Sequence, residues 1–161
     1  MKNLVSLIRR MLPGIALRTT CMTGFPGETE AHFMDMLKFI EWARFEHLGV
    51  FAYSREYGTR AAELPGRVLA RVARERRRVL LETQSRIMDQ LAAARSGAVE
   101  EALLERPLPG AWAARSFREA PEVDGFIRVR GAARRPDLRA GCFVRVRIKS
   151  AKGSCAAAEL L

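Results

Sequence analysis

Three groups of residues in this sequence are placed where they could do chemistry. The first is the run Gly24-Phe25-Pro26-Gly27-Glu28-Thr29, which sets a carboxylate in a glycine turn just ahead of a threonine able to cap a helix. A strand, a glycine turn and a helix N-terminus in that order form an anion cradle. However, no Gly-Lys-Ser/Thr follows, the glycines do not fit G-x-G-x-x-G, and Glu28 would repel a phosphate. A carboxylate beside such a turn suits an amine, a ribose or a sulfonium. The plainer alternative is that Gly24 and Gly27 only make the turn and that Glu28 and Thr29 only cap the helix.

The second group is the cysteines, Cys21, Cys142 and Cys155. They form no C-x-x-C, and His32 and His47 stand alone, so no metal-ligand spacing exists. An odd number so far apart is no disulfide framework and points to a reducing cytoplasm. Cys21, inside the strand candidate Ile15–Met22, reads as a small core residue. The third group is basic. In Phe143–Lys149 the residues alternate, with Arg145, Arg147 and Lys149 on one face, and Arg128 and Arg130 alternate likewise after Phe126. Such a face can follow a nucleic-acid backbone, or it is the wet side of a half-buried sheet. Aromatic platforms for bases are few: Trp112, Phe117, Phe126 and Phe143. Arg74, Arg76, Arg77 and Arg78 pose the same choice on a helix, between phosphate contacts and a solvated face.

The elements that must carry these groups follow from periodicity. Asn3–Leu12 reads as a short helix stopped by Pro13-Gly14, and Ile15–Met22 as a strand. A helix over Glu30–Arg44 presents Phe33, Met36, Leu37, Ile40 and Ala43 as one stripe. Leu48–Tyr53 is nearly all apolar, as in a parallel strand covered on both faces. Strand, helix and strand together make a βαβ unit. After a loop at 54–65, one long helix is expected over Arg67–Arg95, ended by Ser96-Gly97. The remainder has the short spacing of a small antiparallel β barrel or sandwich of about five strands. Its segments include Ala113–Phe117, Phe126–Arg130, Phe143–Lys149 and Ala156–Leu160, with Val99–Glu105 ambiguous between helix and strand. The fold class is therefore α/β plus β, in three parts: 1–66, a basic linker helix at 67–97, and a β module at 98–161.

The net charge of +10 favours an anionic partner, nucleic acid or a ribonucleoprotein first. It is uneven: the excess is +1 over residues 1–63, +5 over 64–97 and +4 over 98–161. Hydrophobic residues make up 48%, which suits a folded chain rather than a disordered one. No run reaches membrane-spanning length, so no membrane partner is expected.

The segment RTTCMTGFPGETEAHF, Arg18–Phe33, resembles the fifth strand and turn of the radical S-adenosylmethionine methylthiotransferases. That family carries R-T-T-x-x-x-G-F-P-G-E-T-E-x-x-F. LGVFAYSREYGTRAAEL resembles the family's next barrel strand and loop, V-G-x-F-x-Y-S-x-E-x-G-T-x-A-x-x-L. Glu75-Arg76 and the Leu80 to Gln84 spacing resemble its linker, and the β module resembles a TRAM domain. Ser116–Gly125, SFREAPEVDG, most resembles the RimO-type branch, which acts on an aspartate of a small-subunit ribosomal protein; the other branch modifies tRNA.

The resemblance implies the last part of a radical-SAM (β/α) barrel, S-adenosylmethionine and two [4Fe-4S] clusters as cofactors, and a ribosomal protein, the ribosome or RNA as partner. It places Gly24, Gly27, Glu28, Phe51 and Tyr53 at the cofactor, and Arg128, Arg130, Arg145, Arg147 and Lys149 at the substrate or RNA. The family's C-x-x-x-C-x-x-C is not in this sequence, nor are the three cysteines of its other cluster. No residue here is assigned a catalytic or metal-binding role, and the chain alone is expected to be inactive. Two readings compete with that of an enzyme portion working with a complementary N-terminal chain: a TRAM-type binding module without chemistry, and a portion of a tRNA methylthiotransferase.

Overall fold

A computed structural model describes residues 1–132 and 135–161. The chain forms two compact units, Met1–Ile87 and Met88–Leu161.

The first unit is built on two parallel strands, β1 (Arg18–Thr23) and β2 (His47–Ala52), joined through α2 (Glu30–Ala43). Their register pairs Arg18 with His47 and Thr23 with Ala52, so both strands end at the same level. The expected βαβ unit is therefore present. α2 begins where the sequence indicates. The Thr29 side chain accepts the His32 N–H, and the His32 ring accepts the Thr29 N–H in return. Phe33, Ile40 and Ala43 of its apolar stripe are buried. α1 (Lys2–Met11) buries Val5 against Ala43 and Phe45. Its Arg9 donates to the Ala43 and Arg44 carbonyls, satisfying the end of α2. The loop after β2 contains one short helix, α3 (Arg60–Glu63).

The long helix α4 (Ala70–Ala93) begins later than the expected Arg67 and runs from the first unit into the second. Within the first unit it lies along the two strands. Thr23 Oγ1 donates to the Ala73 carbonyl (2.9 Å), Arg77 donates to the Val50 carbonyl (2.9 Å), and Gln84 donates to the Phe45 carbonyl (2.8 Å). It thus passes from the C-terminal end of β1 to Phe45, two residues before β2.

The second unit is a closed five-stranded barrel of β3 (Val99–Leu108), β4 (Ala111–Arg115), β5 (Ile127–Arg130), β6 (Phe143–Lys152) and β7 (Cys155–Leu160), in the order β3-β4-β5-β7-β6. The ambiguous Val99–Glu105 is a strand, longer than it reads in the sequence. The expectation of an antiparallel barrel needs one correction: β5 and β7 run parallel. The reason is parity, since an odd number of strands cannot alternate direction all the way around a closed ring. Ala102, Leu104, Ile127, Val129, Val144, Val146 and Ile148 fill the interior. Ala114, Ala156 and Ala158 belong to the same core, which suits the narrow interior of a small barrel, and Ala111 and Ala113 of β4 are buried as well.

The 116–124 loop is fastened by buried charge. Glu119 accepts from Arg95 (2.9 Å) and from the backbone and hydroxyl of Ser116 (2.8 Å each), and Arg95 also pairs with Glu100 (2.9 Å). Burial alone would lower the Arg95 guanidinium. Its hydrogen bond to Glu100 and the Glu119 charge more than offset this and hold it above its usual value. Asp124 accepts the Ala120 N–H (2.7 Å), which makes it a turn residue.

Candidate functional site

The C-terminal ends of parallel strands are where ligands bind in open α/β sheets. Here that level holds the Gly24–Thr29 turn and Tyr53. The turn is held from three sides. The Gly24 N–H donates to Glu28 Oε2 (3.0 Å), the Glu28 N–H to the Phe25 carbonyl (2.9 Å), and the Gly27 N–H to the Gly66 carbonyl (2.8 Å). Arg76 of α4 closes the arrangement. It donates to Glu28 Oε1 (2.6 Å) and Glu30 Oε2 (2.8 Å), and its guanidinium lies over the Phe33 ring at 5.3 Å. The Arg76 and Glu28 side chains are each only 9% exposed, so this ion pair is largely desolvated. Burial opposes the Arg76 charge, but hydrogen bonds to Glu30 and Glu28 outweigh it and the guanidinium lies above its usual value.

Gly24 is required here on two counts. Its φ is +78°, and an added Cβ would lie 2.3 Å from the Ala73 Cβ. α4 therefore rests directly on the turn. Gly27 has a φ of +86° with open space around it, so it answers only to the turn conformation.

Beside this turn is a cavity of about 420 Å³, lined by Gly24, Pro26, Tyr53, Leu64, Val68 and Ala73, with Arg55 and Arg67 also at its wall. The Tyr53 ring meets Phe25 edge-on at 5.4 Å. Its buried hydroxyl has no hydrogen-bond partner among the described residues. Tyr53 thus contributes to the cavity wall while its hydroxyl is enclosed in the protein beside it. Phe51, two residues earlier, is 61% exposed and stands opposite exposed Met22 on the face of the sheet away from Val50. The five residues that the resemblance places at a cofactor thus fall into three sets. Tyr53 and Gly24 line the cavity, and Phe51 lies on the open face. Glu28 spends an oxygen on the turn and another on Arg76, while Gly27 shapes the turn. Ala73, Arg76, Val68 and Gly66 were not singled out for this site from sequence; their part depends on α4 and its lead-in folding back over the turn.

The arginine cluster on α4 is mostly engaged inside the unit. Arg76 and Arg77 bond as described, and Arg78 pairs with Glu75 and Glu82. Cys21 is half-buried, and burial pushes its thiol up. Among the described residues no cluster of His, Cys, Asp and Glu is suited to a metal ion.

On the barrel, Arg128, Arg130, Arg145, Arg147 and Lys149 all point outward and are exposed, as the alternation indicates. Acids interrupt them. Glu159 stands opposite both Arg130 and Arg147 and accepts from Lys149 Nζ (2.9 Å), and Glu101 stands opposite Arg145.

Residues 97–158 match the TRAM domain family. The whole chain is also similar to curated proteins described as ribosomal protein uS12 methylthiotransferase RimO. One from Synechococcus sp. (strain RCC307) is 43% identical over 151 residues, 92% of this chain and 31% of that protein. One from Nitratidesulfovibrio vulgaris (strain DP4) is 41% identical over 146 residues, 89% of this chain and 33% of the relative. One from Syntrophobacter fumaroxidans is 42% identical over 99% of this chain and 36% of the relative. The chain spans about a third of the length of the curated relatives it matches.

Proposed function

We infer, from a chain that belongs to the RimO-type methylthiotransferase family and carries its TRAM domain, that these residues serve methylthio transfer to an aspartate of ribosomal protein uS12 in the cytoplasm. In this reading the first unit is the last βαβα portion of a radical-SAM barrel. Its Gly24–Thr29 turn and Tyr53 form one wall of the S-adenosylmethionine site. The observation that carries it is the cavity at the strand ends, which the Gly24 turn and Tyr53 line together.

The residues fit S-adenosylmethionine in part. Tyr53 offers a ring, Phe51 an exposed aromatic surface, and Gly24 a wall without a side chain. S-adenosylmethionine, when bound, supplies the radical that opens the substrate C–H bond. Glu28 acts through the turn: with Arg76 it fixes the Gly24 backbone that faces the cavity. The residues do not fit an iron–sulfur cluster. The three cysteines are divided between the two units and lack cluster spacing, so the cluster ligands of this chemistry come from outside these 161 residues. The basic barrel is the part that meets the ribosomal substrate or RNA.

The test is a chimera. The matching third of the Synechococcus RimO is replaced by this chain, its clusters are reconstituted, and uS12 is examined by mass spectrometry after incubation with S-adenosylmethionine. Methylthiolated uS12 is expected. A chimera that folds and holds both clusters but leaves uS12 unmodified contradicts the reading, and modification of tRNA instead would assign the other branch.

A further inference from the structure

The basic face of the barrel is not electrostatically uniform, and it holds a recess with no carboxylate in its lining; the nearest acids are Asp89, which accepts the Gly153 N–H of the β6–β7 hairpin (3.0 Å), and Glu159, two residues along β7 from Ala157. Between β5 and the β6–β7 hairpin is an open groove of about 360 Å³, lined by Phe126, Arg128, Ser150, Ala151, Lys152, Cys155, Ala156 and Ala157. No carboxylate lines it, whereas the neighbouring row Arg130, Arg147 and Lys149 surrounds Glu159. Three alanines leave its floor empty, because a larger outward side chain at Ala157 would occupy the space.

We propose that this groove binds one nucleotide of a single-stranded nucleic acid, with the base against Phe126 and the phosphate between Arg128 and Lys152. The proposal rests on the reading that the barrel meets an anionic polymer, and it says where. Phe126 is held in place: the preceding Gly125 has no room for a Cβ, which would lie 2.4 Å from the Ser154 carbonyl oxygen and 2.6 Å from Cys155 Sγ. The Arg106 guanidinium lies 5.6 Å from the centroid of the Phe126 ring, which adds a third cation beside the groove. Arg128 donates to the Pro109 carbonyl (2.8 Å), a contact that orients its guanidinium without neutralising it. A flat aromatic face accepts any base, and flanking cations follow the backbone. The volume falls within the roughly 300–1,000 Å³ of small-ligand pockets. A duplex would not present an unstacked base to Phe126, so single strands are preferred.

The full chain is titrated into a fluorescein-labelled single-stranded oligouridylate, with anisotropy read at two salt concentrations and a duplex of equal length as control. Binding that weakens with salt and favours the single strand is expected. Phe126→Leu is expected to lower affinity roughly tenfold, within the range for loss of one stacked base. Ala157→Leu, which fills the groove without changing charge, is expected to do the same. Paired Arg128→Gln and Lys152→Gln should cost more than paired Arg130→Gln and Arg147→Gln, which remove equal charge beside Glu159. Saturating oligonucleotide should slow alkylation of Cys155, and circular dichroism confirms that each variant is folded.

The groove is refuted if the wild type binds but the two arginine/lysine pairs cost the same and Ala157→Leu is neutral, or if the duplex binds as well as the single strand. A wild type that binds no nucleic acid at all, or binds purified uS12 instead, overturns the underlying reading of the barrel as well. Neither result bears on the chimera test of methylthio transfer.

Discussion

Gly24→Ala is the sharpest perturbation of the candidate site. The new methyl meets two penalties that can be separated. The first is conformational: at a φ of +78° a Cβ costs about 1–2 kcal/mol. The second is steric: at 2.3 Å from the Ala73 Cβ the methyl pushes α4 off the turn, an overpacking cost of about 1–3 kcal/mol. Together these give a loss of about 2–5 kcal/mol, measured by urea unfolding followed at 222 nm, where the helices of the first unit dominate. Removing the opposing methyl with Ala73→Gly costs about 1 kcal/mol by helix propensity. In that background Gly24→Ala should lose only its conformational share. The double-mutant cycle therefore predicts a coupling of about 1–3 kcal/mol. Additive losses would refute the direct seating of α4 on the turn.

Arg76→Met leaves Glu28 buried without its cation and should destabilise the first unit by about 3–5 kcal/mol, with Arg76→Lys recovering part of the loss; equal stability by urea titration would contradict the buried pair. Glu119→Ala should cost the barrel a similar amount, about 3–5 kcal/mol, seen as a lower midpoint in calorimetry, because Arg95 loses one of its two buried carboxylates. Iodoacetamide should modify exposed Cys155 first and Cys21 slowest, since burial keeps the Cys21 thiol protonated. The linkage has a sign. The folded Cys21 pKa lies above the ordinary value of 9.0, so its contribution is fully present below that pH and is lost as pH rises through the folded value. Cys21→Ala should therefore flatten the alkaline fall in stability above about pH 9.

The chain shows which properties a linear reading can reach. The helix over 30–43 was legible because its start is written locally, in Thr29 and the Phe33–Ala43 stripe. β6 was legible because one face of the barrel is wet, so its residues alternate. Val99–Glu105 was not, since six of its seven residues are helix formers and only pairing with β4 and β6 makes it extended. The parallel β5–β7 pair was hidden as well, because closure of five strands is a property of the ring and not of any segment. At the candidate site, the turn was legible in its glycines and Tyr53 was named through the family resemblance, but the partner of Glu28 was not legible. That partner, Arg76, lies 48 residues away and, in sequence, belongs to an arginine run with an ordinary solvated reading. The basic stripe was placed correctly on the outside, while Glu159 and Glu101, which break it up, become its neighbours only through strand register.

The most direct test of the account is hydrogen exchange on the chimera, with and without S-adenosylmethionine. If the Gly24–Thr29 turn and Tyr53 form a wall of the cofactor site, peptides covering residues 22–29 and 51–56 will exchange more slowly when it is bound. Protection confined to the relative's own segments, with those two peptides unchanged, would contradict the account.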